Sequence, residues 1–122
     1  MNINIFENII EIFAYYDRPV FFISKVGVQK FICVLISSEN SKEKWLISEI
    51  TENTCEELKS NRIDFYTCFK QSKSGDSFVL SITNEHIDNE TKIISSEIPD
   101  DILPNKGVYL LRNSNDLFAS PF

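Results

Sequence analysis

The chain has 122 residues, of which 43% are hydrophobic and 25% charged, and its formal net charge is −6. This composition is typical of one globular domain and excludes a disordered chain or a miniature that needs disulfides. Direct nucleic-acid binding and attachment to an anionic membrane draw affinity from Lys and Arg, so the acidic balance disfavours both.

The first predicted element is a helix near the N-terminus. Four apolar residues lie at i, i+3, i+4 and i+7, the spacing of one helical face: Phe6, Ile9, Ile10 and Phe13. The helix should end just before Pro19, because the residue that precedes a proline is biased away from helical backbone.

Three strands are predicted next, over residues 19–25, 30–37 and 44–50. A turn at Gly27 joins the first two, since glycine takes a positive φ at little cost. The strand at 30–37 is apolar on both faces, a pattern typical of a central strand covered on both sides. The polar residues 37–44 predict a loop.

Two short helices should follow the third strand. Thr54 and Glu57 have the spacing of a capping box, and Leu58 would lie on the buried side of that helix. Asn61 or Asp64 can start the second helix, which carries several aromatic residues.

The remaining chain predicts strands at 77–83 and 91–98, a polar turn at 84–90 and a last short strand at 108–111. Segregated helices and hairpin-connected strands indicate an α+β class. We therefore expect a single domain over residues 1–122. It would have an antiparallel sheet of about five strands, an N-terminal helix, two short helices inserted after the third strand and a C-terminal tail at 112–122.

One apolar cluster under the first helix should form the core. Its expected members come from all the predicted strands: Phe22, Phe31, Cys33, Val34, Leu35, Trp45, Phe78, Leu80 and Ile82.

The cysteines and the N-terminus predict a cytoplasmic location. Cys33, Cys55 and Cys68 are odd in number and form no C-x-x-C, so we interpret them as reduced thiols. The first residues lack the basic region of a secretory signal. No apolar run approaches the ~18 residues that span a bilayer.

The sequence offers little for catalysis. His86 and Asp88 could polarise a water, but neither a nucleophile nor a third ligand accompanies them, and an exposed loop histidine is the commoner case. We expect no catalytic residue, no metal and no cofactor. One alternative is a small metal-dependent hydrolase that uses acidic loops, which would need four carboxylates to converge: Asp88, Glu90, Asp100 and Asp101. A small-ligand pocket is a further alternative, because a sheet with helices on one side can form a cavity.

Two segments are candidates for partner binding. Tyr15, Tyr16 and Arg18 lie at the expected helix-to-strand junction, and Tyr and Arg are enriched at interface hot spots. The competing interpretation packs one tyrosine under the helix. The second segment is the polar tail, with three apolar residues that either dock on a partner or pack on their own domain: Leu117, Phe118 and Phe122.

The chain resembles a family of small bacterial domains of unknown function. The resemblance rests on Tyr15-Tyr16-Asp17-x-Pro19, Trp45 in the third strand, and Leu103-Pro104-x-x-Gly107-Val108-Tyr109-Leu110. It implies an accessory component of a bacterial multi-gene system such as defence or toxin control, and it offers no catalytic residues.

These observations together predict a non-enzymatic protein-binding module. The expected role is an accessory subunit or antitoxin-like component of a bacterial defence or toxin system. Its partner would be another protein, such as a larger effector from the same operon, with a homo-oligomer as an alternative. A phage or mobile-element inhibitor of a host defence protein would have the same physical properties.

Overall fold

Six strands form one antiparallel sheet in which every strand pairs with the next along the chain. The computed structural model describes residues 4–110 of the chain. The strands are β1 (Ile9–Tyr15), β2 (Pro19–Val26), β3 (Gln29–Glu39), β4 (Lys42–Ile50), β5 (Asp76–Thr83) and β6 (His86–Ile94). The helices are α1 (Asn4–Glu7), α2 (Glu52–Lys59) and α3 (Phe65–Lys70), and 3-10 turns follow at Ser95–Glu97 and Asp100–Ile102. The α+β prediction is confirmed, with six strands and with α2 and α3 inserted after the fourth.

The prediction of a long N-terminal helix was wrong. Helix α1 has four residues, and β1 occupies the rest of the segment. The pairing of β1 with β2 shifts register around Ile10 and again around Phe13. At each of these places β1 advances by two residues while β2 advances by one. Such bulges break the two-residue period of a strand. They explain how a strand acquired apolar spacing that resembles a helix.

Two polar stretches predicted as loops are tight hairpins. Asn40 and Ser41 have φ of 50° and 64°, and Asn84 and Glu85 have φ of 49° and 69°. Positive φ at both central residues is the hallmark of the type I′ turns that match the twist of hairpin strands. Strands β3, β4 and β6 are therefore longer than expected.

The end of the described chain also differs from the prediction. Strand β6 stops at Ile94, where a 3-10 turn replaces the expected strand up to Ile98. Residues 108–110 form no strand.

Both short helices have the N-caps that their sequences allow, although one cap differs from the prediction. Thr51, not Thr54, caps α2, and its hydroxyl accepts a hydrogen bond from the Thr54 amide at 3.0 Å. Asp64, and not the alternative Asn61, caps α3, and its Oδ1 accepts a hydrogen bond from the Thr67 amide at 2.8 Å. Its Oδ2 accepts from the Gly107 amide at 2.8 Å. Asp64 therefore holds α3 and the loop before Val108 together.

Alternation along the strands divides the core into two clusters on opposite sides of the sheet. The first cluster lies between the sheet and the α2–α3 pair, and we call this side the helix face. Phe21 is fully buried there, with ring centroids 4.7 Å from Phe65, 5.2 Å from Phe13 and 6.1 Å from Phe69.

The second cluster lies on the other side of the sheet, which we call the cavity face. It contains Phe22, Trp45 and Leu80 together with Ile5 of α1. The expectation of a single core was therefore wrong: Val34 belongs to the helix face, and Phe78 is only half-buried. The other seven predicted core residues are buried on the cavity face.

A chain of serine hydroxyls crosses the helix face. Ser77 bonds Ser48 at 2.5 Å and Ser95 at 2.6 Å, and Ser95 bonds Ser72 at 2.6 Å. Ser48, Ser77 and Ser95 are buried, so these bonds satisfy groups that would otherwise be costly to desolvate. The chain ties the 3-10 turn at Ser95–Glu97 to β4 and β5.

Candidate functional site

Three hairpin turns lie at the same end of the sheet, because alternate turns of a meander fall on the same side. They are the β1–β2 turn at 16–18, the β3–β4 turn at 40–41 and the β5–β6 turn at 84–85. The Asn84 amide donates to the Ser41 carbonyl at 3.2 Å and links two of these turns. Of the six non-glycine residues with positive φ in residues 4–110, five belong to the three turns. Such short turns provide a rigid rim.

A cavity of about 860 Å³ opens at this end, on the cavity face, and we call it the turn-end cavity. Its volume is within the range of about 300–1,000 Å³ that is usual for ligand pockets. The described residues that line it come from α1, from four of the strands and from the three turns: Phe6, Glu7, Ile9, Arg18, Pro19, Phe22, Ser41, Glu43, Trp45, Ile82, Asn84 and Glu85.

Three aromatic rings form one wall of the cavity. Phe6 of α1 stands edge-on to Trp45, with ring centroids 4.9 Å apart, and edge-on to Phe22 at 6.0 Å. The Phe22 and Trp45 centroids are 5.6 Å apart. Edge-to-face rings at these distances attract one another beyond their simple burial. Phe6 therefore packs α1 against the sheet and completes the wall.

Glu43 is the fixed charged group of the cavity. Its Oε1 accepts the Trp45 Nε1–H at 2.9 Å, and its Oε2 pairs with the Arg18 guanidinium. Arg18, predicted to bind a partner, therefore has its charge matched by a carboxylate of the same cavity. Glu7 and Glu85 also line the cavity; both are exposed, and neither has an ion-pair partner within residues 4–110.

Tyr15 and Tyr16, the other predicted partner-binding residues, point to solvent. Each is 66% exposed, so neither packs beneath a helix. The segment is the β1–β2 hairpin and not a helix-to-strand junction, and Asp17 provides the tight turn with a φ of 61°. The two tyrosines and Arg18 thus lie in one turn but face different surroundings.

Strand β1 carries two more exposed apolar side chains, Ile10 at 53% and Ile12 at 49%. We call Ile10, Ile12, Tyr15 and Tyr16 the edge patch. Six large hydrophobic residues are exposed in the described part of the chain, and four of them belong to this patch. Strand β6, at the other edge of the sheet, is mostly polar, with Ile94 as its one large exposed hydrophobic residue in residues 86–94.

The three thiols are poor candidates for chemistry. Cys33, Cys55 and Cys68 are buried and unbridged. Burial raises the pKa of each thiol above its ordinary value, because a thiolate loses its hydration there. A nucleophilic cysteine needs the opposite shift.

The acidic residues of the hydrolase hypothesis are held in separate places. Asp88 and Glu90 are exposed on β6, and Asp88 accepts a hydrogen bond from the Thr83 hydroxyl. Asp100 lies in a 3-10 turn and accepts from the Tyr66 hydroxyl at 2.6 Å, which raises the pKa of Tyr66. Within residues 4–110, no three His, Cys, Asp or Glu side chains are grouped so that they could hold a metal ion.

Among the described helices, none is long and apolar enough to cross a membrane. The predicted partner-binding residues of the tail lie outside the described residues: Leu117, Phe118 and Phe122.

The fold and the cavity define a small α+β domain. It is a six-stranded antiparallel meander with α2 and α3 packed on one side and, on the other side, α1 beside a cavity at one end. The chain belongs to the family of unknown function DUF6575, whose model matches residues 7–119. The prediction that the chain belongs to a family of domains of unknown function is therefore confirmed. No curated protein and no solved structure matches the chain.

Sequence reasoning missed most of the turn-end cavity. Trp45 was expected in the core and Arg18 at a partner-binding surface, and neither Glu7 nor Glu43 was proposed for a site. Two turns with Asn at the first central position were the available signal, because Asn tolerates positive φ. Identifying them as tight hairpins would have placed Ser41 and Glu85 near each other.

Proposed function

We propose that this domain is a non-enzymatic module that binds another protein through the edge patch. The observation that carries the proposal is the concentration of exposed apolar side chains within residues 10–16. Scattered surface hydrophobics are ordinary, but a contiguous group on an otherwise polar surface marks interaction sites. Tyrosine is also among the residues that dominate interface energetics.

The patch favours contact by side chains over the addition of a strand. Within residues 4–110, strand β1 pairs only with β2, and this pairing shifts register at three points. Bulged edges twist away from further pairing and are a common defence against edge-to-edge association. The bulge at Ile10 leaves its side chain about half exposed, as is that of Ile12. The geometry therefore supports a partner that covers the apolar side chains with its own apolar surface.

The partner we favour is a different protein whose surface is basic around an apolar centre. The chain has 18 acidic residues against 12 Lys and Arg, so a basic partner would gain a faster and more selective encounter. The resemblance described above supports a role as an accessory subunit or antitoxin-like component in a bacterial defence or toxin system. The buried, unbridged thiols support a cytoplasmic location.

The test begins with copurification and mass spectrometry from the native host to identify a partner. The purified partner is then titrated against wild type and against a variant with Ile12→Thr and Tyr16→Ser. Both changes replace exposed side chains and should preserve the fold, which circular dichroism checks. We expect the variant to bind at least about thirtyfold more weakly, because two hot-spot residues that each contribute more than about 1 kcal/mol together contribute more than about 2 kcal/mol.

The matched control is Val28→Ser, which removes the most exposed hydrophobic residue of the described chain, at 95%, from the hairpin at the opposite end of the sheet. Its affinity should equal that of wild type. Equal binding by wild type and the edge variant would contradict the proposal. If wild type dimerises and the edge variant is a monomer, the patch joins two copies of the chain, and the proposal of a different partner fails.

A further inference from the structure

We propose that two copies of this chain join through strand β6, with the two β6 strands antiparallel about a two-fold axis at Thr91. Strand β6 is the edge of the sheet opposite the edge patch, and within residues 4–110 it pairs only with β5. The proposal goes beyond the function proposed above and does not depend on it, because it uses other residues at the other edge.

The two edges of the sheet differ in regularity. The pairing of β1 shifts register at three points, whereas residues 89–94 of β6 pair with residues 76–81 of β5 without a shift. Bulges, prolines and covering segments are the usual means by which an edge strand avoids further pairing. Residues 89–94 contain no proline, and all of them except Ile93 are exposed. This stretch of β6 therefore keeps the regular backbone that another antiparallel strand can pair with.

The charged side chains of β6 are self-complementary in one register. A two-fold axis at Thr91 places Glu90 of each copy opposite Lys92 of the other. Opposite charges directly across an antiparallel pair stabilise it, and like charges destabilise it. An axis at Glu90 or at Lys92 would place identical charges opposite each other, and an axis at Asn89 would place Asp88 opposite Glu90. The charges therefore favour the register centred on Thr91.

Both charges lie where a second copy can reach them. Glu90 pairs with Leu80, which is buried on the cavity face, and Lys92 lies two residues further along on the same face. The Lys92 ammonium is 3.9 Å from Asp76 Oδ2, and the lysine side chain is 65% exposed. This distance leaves the ammonium able to contact a second carboxylate. An edge lysine ordinarily opposes pairing with another strand, but in this register it meets a glutamate.

The proposed pairing continues the antiparallel order of the sheet and leaves β1 of each copy outermost. Two-fold contacts of this kind, in which both copies use the same surface, are the commonest in homo-oligomers. A dimer would present two edge patches. A partner with two docking surfaces would then be held at both, and the second contact would gain from a high effective concentration.

Analytical ultracentrifugation of the full chain at up to about 1 mM tests the proposal, because a small interface gives a weak affinity. We expect wild type to show a monomer–dimer equilibrium. Glu90→Lys and Lys92→Glu should each weaken the dimer at least about tenfold, since each replaces both attractions across the axis by repulsions. A mixture of these two variants should form a heterodimer of about wild-type affinity, because opposite charges then face each other again. The matched control is Glu56→Lys, an equal charge change at an exposed position of α2, and it should dimerise as wild type does.

A cysteine at the proposed axis tests the register. Directly opposed residues of antiparallel strands have Cα atoms about 4.5–5.5 Å apart, which is within the range of a disulfide. Thr91→Cys should therefore form a disulfide-linked dimer under mild oxidation. Asn89→Cys would lie about 14 Å along the strand from its counterpart and should link at least about tenfold more slowly. Both variants lose the same hydrogen bond, from the Asn89 amide to the Thr91 hydroxyl at 3.2 Å, and the three natural thiols are buried.

A wild-type chain that stays monomeric at about 1 mM overturns the proposal, whether residues 111–122 or a different protein covers β6. A dimer that neither charge reversal weakens overturns it too. The variant with Ile12→Thr and Tyr16→Ser should remain a dimer, and its dissociation would place the contact at the edge patch and overturn the proposal. A monomeric wild type whose partner binding is lost in that variant overturns this proposal alone and leaves the function proposed above intact.

Discussion

The two faces of the sheet are built differently, although the same strands supply both. On the helix face, α2, α3 and the 3-10 turns cover the strands, and the buried serine hydroxyls there form hydrogen bonds with one another. On the cavity face, the four-residue helix α1 inserts Ile5 and Phe6 against the strands, and the turn-end cavity opens beside it. The comparison suggests that the helix face provides most of the stability and that the cavity face leaves room for a ligand.

The largest difference should appear when one phenylalanine is truncated on each face. Phe21 is fully buried on the helix face and contacts three other rings, so Phe21→Ala should cost about 3–5 kcal/mol of unfolding free energy. Phe6 is only half-buried, and Phe6→Ala should cost about 1–2 kcal/mol. Urea unfolding followed by circular dichroism measures both.

The comparison between the two faces is supported if the Phe6 variant stays folded at urea concentrations that unfold Phe21→Ala. Equal destabilisation by the two substitutions would break the comparison, because α1 would then contribute as much as the helix face does.

A smaller effect is expected at Asp64, which joins two parts of the helix face. Asp64→Ala leaves the Thr67 and Gly107 amides without their acceptor, and the expected cost is about 1–3 kcal/mol. Asp64→Asn keeps one acceptor oxygen and should cost less. Thermal and urea unfolding of both variants measure the difference, and equal losses from alanine and asparagine would contradict the capping role.

The charge of Asp64 also makes part of the stability depend on pH. Burial alone would raise the pKa of this carboxyl. Hydrogen bonds from the Thr67 side chain and amide and from the Gly107 amide outweigh burial and hold the pKa below its ordinary value of 3.8. Since the unfolded chain then takes up the proton first, the contribution is complete above about pH 4 and is lost as the pH falls through the folded-state pKa. Wild type should therefore lose more stability than Asp64→Asn between about pH 5 and pH 3. Parallel curves for the two proteins would contradict this assignment.

The smallest effect is expected at His86 and Asp88 of β6, which lie outside both core clusters. His86 and Asp88 are exposed, so His86→Ala should leave both unfolding free energy and partner binding within about 0.5 kcal/mol of wild type. Titration of the identified partner and urea unfolding measure the two quantities. A metal-dependent hydrolytic turnover that His86→Ala or Asp88→Ala abolishes would instead contradict the non-enzymatic proposal.

Residue patterns predicted the strands that lie within continuous apolar runs. Strands β2 and β4 begin and end within about two residues of the expected positions, and β3 is central with both faces buried, as its composition indicated. The burial of Leu58 was also predicted correctly, and Asp64, one of the two predicted starting residues, caps α3. Each of these features depends on neighbours close in the chain or on a simple two-residue alternation.

The candidate site was predicted much less well. Tyr15, Tyr16 and Arg18 were singled out, and the structure places two of them in the edge patch and the third in the turn-end cavity. The cavity itself joins residues from three hairpin turns and α1. Contacts between residues so distant in sequence have no local signature.

The sequence by itself determined the α+β class, the two-sided central strand and the existence of the two short helices, because backbone propensity and burial alternation decide those features. Only the tertiary structure decided that residues 9–15 form a strand: its two bulges imitate helical spacing, and pairing with β2 supplies the hydrogen bonds. Tertiary structure also decided the separation of the core into two clusters and the position of Glu7, Glu43 and Glu85 around one cavity. Sheet pairing fixes which residues meet across the strands, and that pairing follows from the whole chain and not from any one segment.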